Sequence, residues 1–383
     1  MSSERSIVVV FAPDSFKGSL TSVQVARALA TGWARGRPAD RLSLAPLADG
    51  GEGTLVAIEA AGGWDWRETE VADPLGRPVR ARWLRSSDGL RAIVEMAEAS
   101  GLSRVAPLDR DPLRASTFGT GQLILDAIAS GVRHIVLGIG GSASSDGGLG
   151  LIGALGGLPT REPPDPTRTP DRVDLDGLDP LLAQVEVRIA CDVTNPLLGE
   201  RGAAATYGPQ KGASAGQVEL LDRRLERWAD VLEAAGGRSE RDTPGAGAAG
   251  GLGFGLLAIA GRFRSLELVS GVELVMDETD LAGKLAGAEL VVTGEGRIDA
   301  QTAFGKTALG VARRARAAGV ACIAVGGSVE PEGVVALAAE DVLVVPVVET
   351  PQSVEAAMAA GTAPLERCAE RLARLVSLGG SIA

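Results

Sequence analysis

The residues of this chain best equipped for chemistry lie in short glycine-rich strings that mix carboxylates with cations. In TGEGRIDAQTAFGKT (293–307) Glu295 and Asp299 flank Arg297, and Lys306 stands where a helical pattern begins, all behind the apolar run Leu290, Val291, Val292. A strand that ends in such a loop and passes into a helix collects unpaired backbone N–H groups at one point, which suits an anion. Cations for a migrating negative charge, with carboxylates for Mg²⁺ or for a proton, are the equipment of phosphoryl transfer. The string is not a P-loop, because G-x-x-x-x-G-K-S/T needs glycine where Ala300 stands. An ordinary strand-to-helix turn shares its spacing.

The same grammar occurs twice near the start: APDSFKGSLTS carries Asp14 and Lys17, and LADGGEGT carries Asp49 and Glu52. Each of these charges also has a plain alternative as a helix cap or first-turn charge. GIGGSASSDGG (138–148) is a credible phosphate cradle, since glycines admit an anion to the backbone and Ser142, Ser144 and Ser145 can donate to it. CDVTNPL sets Asp192 and Asn195 at a strand end, in a pattern that ordinary turns also use. In YGPQKG, Lys211 taken alone reads as a solvated turn lysine. With a single histidine in the chain, a general base must be a carboxylate such as Asp192 or Asp299. Transition-state charge then falls to Lys17, Arg297, Lys211 or Lys306.

The elements that must position these residues follow from periodicity. Short β-branched runs at 7–11, 42–46, 289–292, 321–325 and 342–345 alternate with helical spacing, as in Val23, Ala26, Leu29 and Ala30. The segment from Trp64 to Gly287 differs: TEVADPLGRPVRARWLRSSDGLRAIVEMA reads as antiparallel strands joined by turns, followed by strands at 135–137 and 185–190. The expected fold is therefore α/β, a doubly wound parallel-sheet domain built from both chain ends (1–64 and 288–383) with a second α/β domain (65–287) inserted. In open sheets of this kind ligands bind at the carboxyl ends of the strands, so the charged loops are expected to share one cleft.

Composition narrows the classes. With 383 residues, 45% of them apolar, the chain can bury two cores. A net charge of −11 disfavours nucleic acid and anionic membrane surfaces. His134, the single histidine, excludes an HExxH zinc site and reads as structural. Cys191, Cys322 and Cys368 are odd in number and far apart, the pattern of reduced, buried thiols in a cytoplasmic protein. MSSERSIVVVFAPD reads as a strand, not a targeting segment, and the uncharged stretch 243–261 is too glycine-rich for a membrane span. Two strings tempt a dinucleotide reading: GAGAAG (245–250), which no apolar strand precedes, and Gly138, Gly140, Ala143, which follow one.

Taken in order, APDSFKGSLTS, LADGGEGT, RDPLRASTFGTGQLI, GIGGSASSDGG, ACDVTNPLLGERGAAATYGPQKGAS, PGAGAAGGLG and TGEGRIDAQTAFGK resemble the type I glycerate kinase family over nearly the whole chain. The resemblance implies ATP-dependent phosphorylation of D-glycerate to the 2-phosphate, Mg²⁺, and a two-domain α/β fold with a central cleft. The resemblance does not fix individual roles; from the residues themselves the glycerate carboxylate is expected near Lys17 or Arg297, with Asp14, Asp49, Glu52 and Asn195 around the substrate and Asp192 preferred to Asp299 as base. ATP phosphates are expected against Gly140, Gly141, Ser142 and Ser144, with Lys211 or Lys306 offsetting charge, and Mg²⁺ on Glu295 and Asp299. The chain departs from the family between Gly156 and Asp176, where a longer segment is usual. Competing readings are 3-kinase regiochemistry, a nicotinamide-dependent hydroxy-acid oxidoreductase, and a non-catalytic sensor of a phosphorylated metabolite. A homodimer is the candidate assembly.

Overall fold

The computed structural model describes residues 5–51, 53–158, 165, 168–300, 302 and 307–382, with side chains to 378. In chain order its strands are β1 (Val8–Pro13), β2 (Arg41–Leu44), β3 (Trp64–Ala72), β4 (Pro78–Ser86), β5 (Arg91–Glu95), β6 (His134–Gly138), β7 (Glu186–Ala190), β8 (Ser265–Val269), β9 (Leu290–Ile298), β10 (Ala321–Val329) and β11 (Val342–Pro346). They form two sheets, and the chain divides into two compact units. One unit comprises Met1–Asp49, Val56–Gly62 and Val272–Ala383; the other comprises Gly50–Leu55 and Gly63–Gly271.

The first unit holds the parallel five-stranded sheet β11-β10-β9-β1-β2. Val9, Phe11, Leu290, Val292, Ile323 and Val325 face a core shared with the helices Ser22–Gly36 and Ala363–Ile382. The intervening Val10, Val291 and Ala324 are equally buried, so both faces are covered, as all-parallel sheets require. Ser22–Gly36 starts as its sequence dictates: Thr21 accepts from the Gln24 N–H while the Gln24 side chain accepts from the Thr21 N–H. Strand order reverses between β1 and β9, which makes their carboxyl ends the topological switch point of this sheet.

Two expectations change here. The strand expected at 289–292 continues to Ile298, pairing Arg297 with Ser328 and Ile298 with Val329, so TGEGRI is strand and not exit loop. Propensity argued against this; the long partner β10 overrides it. Residues 272–287, grouped by pattern with the insert, cluster with the end-built unit because Val272 and Met276 lie against Gly310 and Arg314 pairs with Glu273 and Asp277.

The second unit holds the six-stranded sheet β3-β4-β5-β6-β7-β8. β3, β4 and β5 are antiparallel neighbours across the expected turns, and β5 to β8 run parallel. Its core gathers Trp83, Leu123, Leu137, Ile189, Phe254 and, from the helix Ala215–Gly236, Leu221, Leu225 and Trp228. His134 opens β6 and pairs with Glu186 on β7, a structural role. Cys322 and Cys368 are buried as expected, but Cys191 is only half-buried, since it sits on the exposed exit of β7. Among the described residues no helix is long and apolar enough to cross a membrane.

Candidate functional site

In the end-built unit the chain leaving β1 is held against β9: the Asp14 N–H donates to the Gly294 carbonyl at 2.8 Å. Half-buried Asp14 accepts from the Thr307 hydroxyl at 2.7 Å, at the start of the helix Thr307–Ala317, and from the Ser15 N–H at 2.6 Å. Burial pushes its pKa above the ordinary carboxylate value, those hydrogen bonds oppose the push, and nearby Asp49 adds to it. Exposed Lys17 donates to Asp49 at 3.1 Å. The charges of Asp49, Asp14 and Glu295 raise its pKa, so this amine stays protonated. Glu295 and Asp299 are buried; the Thr302 hydroxyl donates to Glu295 Oε1 at 2.9 Å and accepts from the Asp299 backbone N–H at 3.2 Å. Arg297, largely exposed, pairs with Asp299 and Glu330. Asp14, Lys17, Asp49, Glu295, Asp299 and Arg297 thus stand at the carboxyl ends of β1, β2 and β9. Glu52 and Lys306 lie outside the described residues. Among the described residues no group of three or more metal-ligating side chains converges.

The inserted unit carries a second polar cluster. Lys211 is not a solvated turn lysine. It is 1% exposed, its Nζ donates to Ser142 Oγ at 2.7 Å and to the Ser144 carbonyl, and burial drags its pKa from 10.5 to about 7 against the pull of Asp146. Ser144 Oγ and Ser145 Oγ are buried and have no hydrogen-bond partner among the described residues. Gly140 and Gly141 lie in the same loop and remain partly open to solvent. Asp146, which sequence reasoning did not select, holds this loop: its carboxylate accepts from the Thr117 N–H and hydroxyl and from the Gly148 and Gly150 N–H groups. An aspartate just ahead of an apolar helical run was the available signal.

The remaining candidates lie on the chain leaving β7. Exposed Asp192 accepts from the Gly271 N–H at 3.0 Å. The Asn195 amide is turned into its own loop, donating to the Arg201 carbonyl and accepting from the Tyr207 hydroxyl. GAGAAG does not follow a strand. Its Gly250, at φ +70°, presses on the cradle so closely that a Cβ there would overlap the Ser144 carbonyl oxygen. Those glycines are required by backbone packing, so GAGAAG carries no dinucleotide reading.

The chain matches the glycerate kinase family over residues 9–377. It belongs to that family. A glycerate kinase of Halalkalibacterium halodurans is 46% identical over 327 residues, covering 84% of this chain and 85% of that protein. The glycerate 2-kinase of Escherichia coli K12 is 44% identical over the same shares. The crystal structure assigned to glycerate kinase 2 of Salmonella typhimurium LT2 superposes with a TM-score of 0.85 at 40% identity, covering 98% of this chain and all of that one. These glycerate kinases lend no support to the oxidoreductase and sensor readings.

Proposed function

We propose that this protein transfers the terminal phosphoryl group of ATP to the 2-hydroxyl of D-glycerate, yielding 2-phospho-D-glycerate and ADP. The observation that carries the reading is the buried Lys211 amine on the 140–145 loop beside two unpartnered serine hydroxyls, in a chain of the glycerate kinase family. Gly140, Gly141, Ser142, Ser144 and Lys211 are assigned to the ATP phosphates, whose charge a desolvated amine meets by taking up a proton. Lys306 keeps its assignment to the phosphates from the sequence alone. Lys17 and Arg297 are assigned to the glycerate carboxylate and the developing charge, with Asp14, Asp49 and Glu52 around the substrate. Asn195 acts at one remove, by fixing the loop that carries Asp192.

Glu295 and Asp299, both buried at the carboxyl end of β9, are assigned to Mg²⁺, which typically takes one or two protein carboxylates and fills its remaining positions from phosphates and water. Bound there, the ion would neutralise charge on the transferred group. Asp192 is assigned as the base that takes the hydroxyl proton as the glycerate oxygen bonds to phosphorus and ADP departs. A second reading gives that step to Asp14, because its upward-shifted pKa lies nearer to working pH. Three free thiols favour a reducing, cytoplasmic setting.

The test is turnover of purified protein with Mg·ATP and D-glycerate, the product isomer being identified by phosphorus NMR. A 2-phosphate signal is expected. A 3-phosphate would overturn the regiochemistry, and absence of ADP formation from folded protein would overturn the kinase reading. Asp192→Asn is expected to lower kcat ~10²-fold or more. Near-normal turnover in that variant, with the loss appearing in Asp14→Asn instead, would move the base to Asp14.

A further inference from the structure

Three buried side-chain polar atoms have no hydrogen-bond partner among the described residues: Ser144 Oγ, Ser145 Oγ and Arg110 Nε. All three belong to the inserted unit. The chain around Arg110 brackets the cradle. On one side Val105 and Ala115 pack with Ala143, between Ser142 and Ser144. Further along, Thr117 donates twice to Asp146. On the other side, a Cβ at Gly212, the residue after Lys211, would lie 3.5 Å from Arg110 Cβ. Arg110 therefore flanks the two segments that the Lys211–Ser142 hydrogen bond joins.

A half-buried guanidinium is costly unless an anion answers it. Several other arginines of this acidic chain, among them Arg77, Arg241 and Arg314, meet carboxylates. Arg110 Nε, shut from solvent, finds no hydrogen-bond partner among the described residues. Lys211 cannot supply a permanent charge to this place, because desolvation favours its neutral form, whereas arginine remains protonated at any working pH.

We propose that Arg110 is a phosphate-binding residue, completing with Lys211, Ser142, Ser144 and Ser145 a site for the polyphosphate of the nucleotide. The assignment rests on the kinase reading, and it adds to that reading the fixed positive charge of the site. A guanidinium presents several donors in one plane, so it matches a doubly or triply charged phosphate chain better than a monoanion.

The test is thermal unfolding of the full chain with and without Mg·ATP and, separately, inorganic tripolyphosphate, for wild type, Arg110→Gln and Arg110→Lys, alongside steady-state kinetics. Arg110→Gln should leave the ligand-free melting temperature equal or higher, since it removes an unanswered charge. It should also raise KM for ATP roughly tenfold to a hundredfold while KM for glycerate holds. The tripolyphosphate-induced rise in melting temperature should shrink accordingly, and Arg110→Lys should recover part of it. An Arg110→Gln protein that melts lower and keeps a wild-type ligand shift would make the arginine structural and sink the proposal. A wild type that responds to neither ATP nor tripolyphosphate would instead remove the nucleotide reading on which it rests. Should Arg110→Gln fail to fold, Arg110→Lys decides alone: unchanged ATP affinity overturns the assignment, and a weakened affinity at unchanged glycerate KM upholds it.

Discussion

At the scale of single residues, Lys211 makes the sharpest prediction. Its pKa falls from 10.5 in the unfolded chain to about 7 in the folded one. Between those values the unfolded state binds a proton that the native state does not, so native stability rises with pH across that window. The slope attributable to this group approaches about 1.4 kcal/mol per pH unit. In ligand-free protein, urea midpoints of wild type minus Lys211→Met should therefore climb from neutral pH into the alkaline range. Parallel curves would mean that the amine is already charged in the apo state. None of this was legible in YGPQKG, where a lysine among Gly, Pro and Gln carries the composition of a surface turn. Its burial comes from docking on Ser142 and Ser144, nearly seventy positions earlier in the chain. The serines were legible because glycines around hydroxyls have few other uses. Arg110 was not, since what distinguishes it is a missing partner.

Elements show the same division. The periodicity that marks Ser22–Gly36 as a helix also contains Gly32, and periodicity says nothing of why glycine is there. In the fold a Cβ at Gly32 would overlap the Glu366 carbonyl oxygen, because Ala363–Ile382 crosses at backbone distance. Gly32→Ala should thus cost ~1–3 kcal/mol through overpacking, despite alanine's better helix propensity. A denaturant midpoint equal to or above that of wild type would show that the crossing yields without strain. β9 teaches a related lesson. Val291 and Val292 announced a strand, but Gly294 and Gly296 read as its end, and only the partner strand β10 reveals that pairing carries on to Ile298. Local composition identifies where an element begins more reliably than where a neighbour lets it stop. The consequence for the site is that Glu295 and Arg297 ride on a paired strand, a firmer mount than the loop expected for them.

For the whole molecule, the alternation of strands and helices was enough to give two α/β sheets, because parallel order needs crossover helices and the antiparallel pairs β3–β4 and β4–β5 sit where turn residues mark them. Each unit has its own hydrophobic core: Trp33 lies in one, Trp83 and Trp228 in the other. Separate cores imply separable cooperative melting. The two perturbations argued above fall on different units: Gly32→Ala strains the end-built one, and tripolyphosphate engages the inserted one. Scanning calorimetry should therefore resolve two transitions, of which the substitution lowers only one. Tripolyphosphate at a hundredfold excess over its Kd should raise only the other, by the equivalent of about 2.7 kcal/mol. For domains of this size that is a shift of roughly 5–10 °C. One transition moved by both perturbations would instead mean that the two cores melt as a single cooperative unit, and that the phosphate site draws its rigidity from the whole chain.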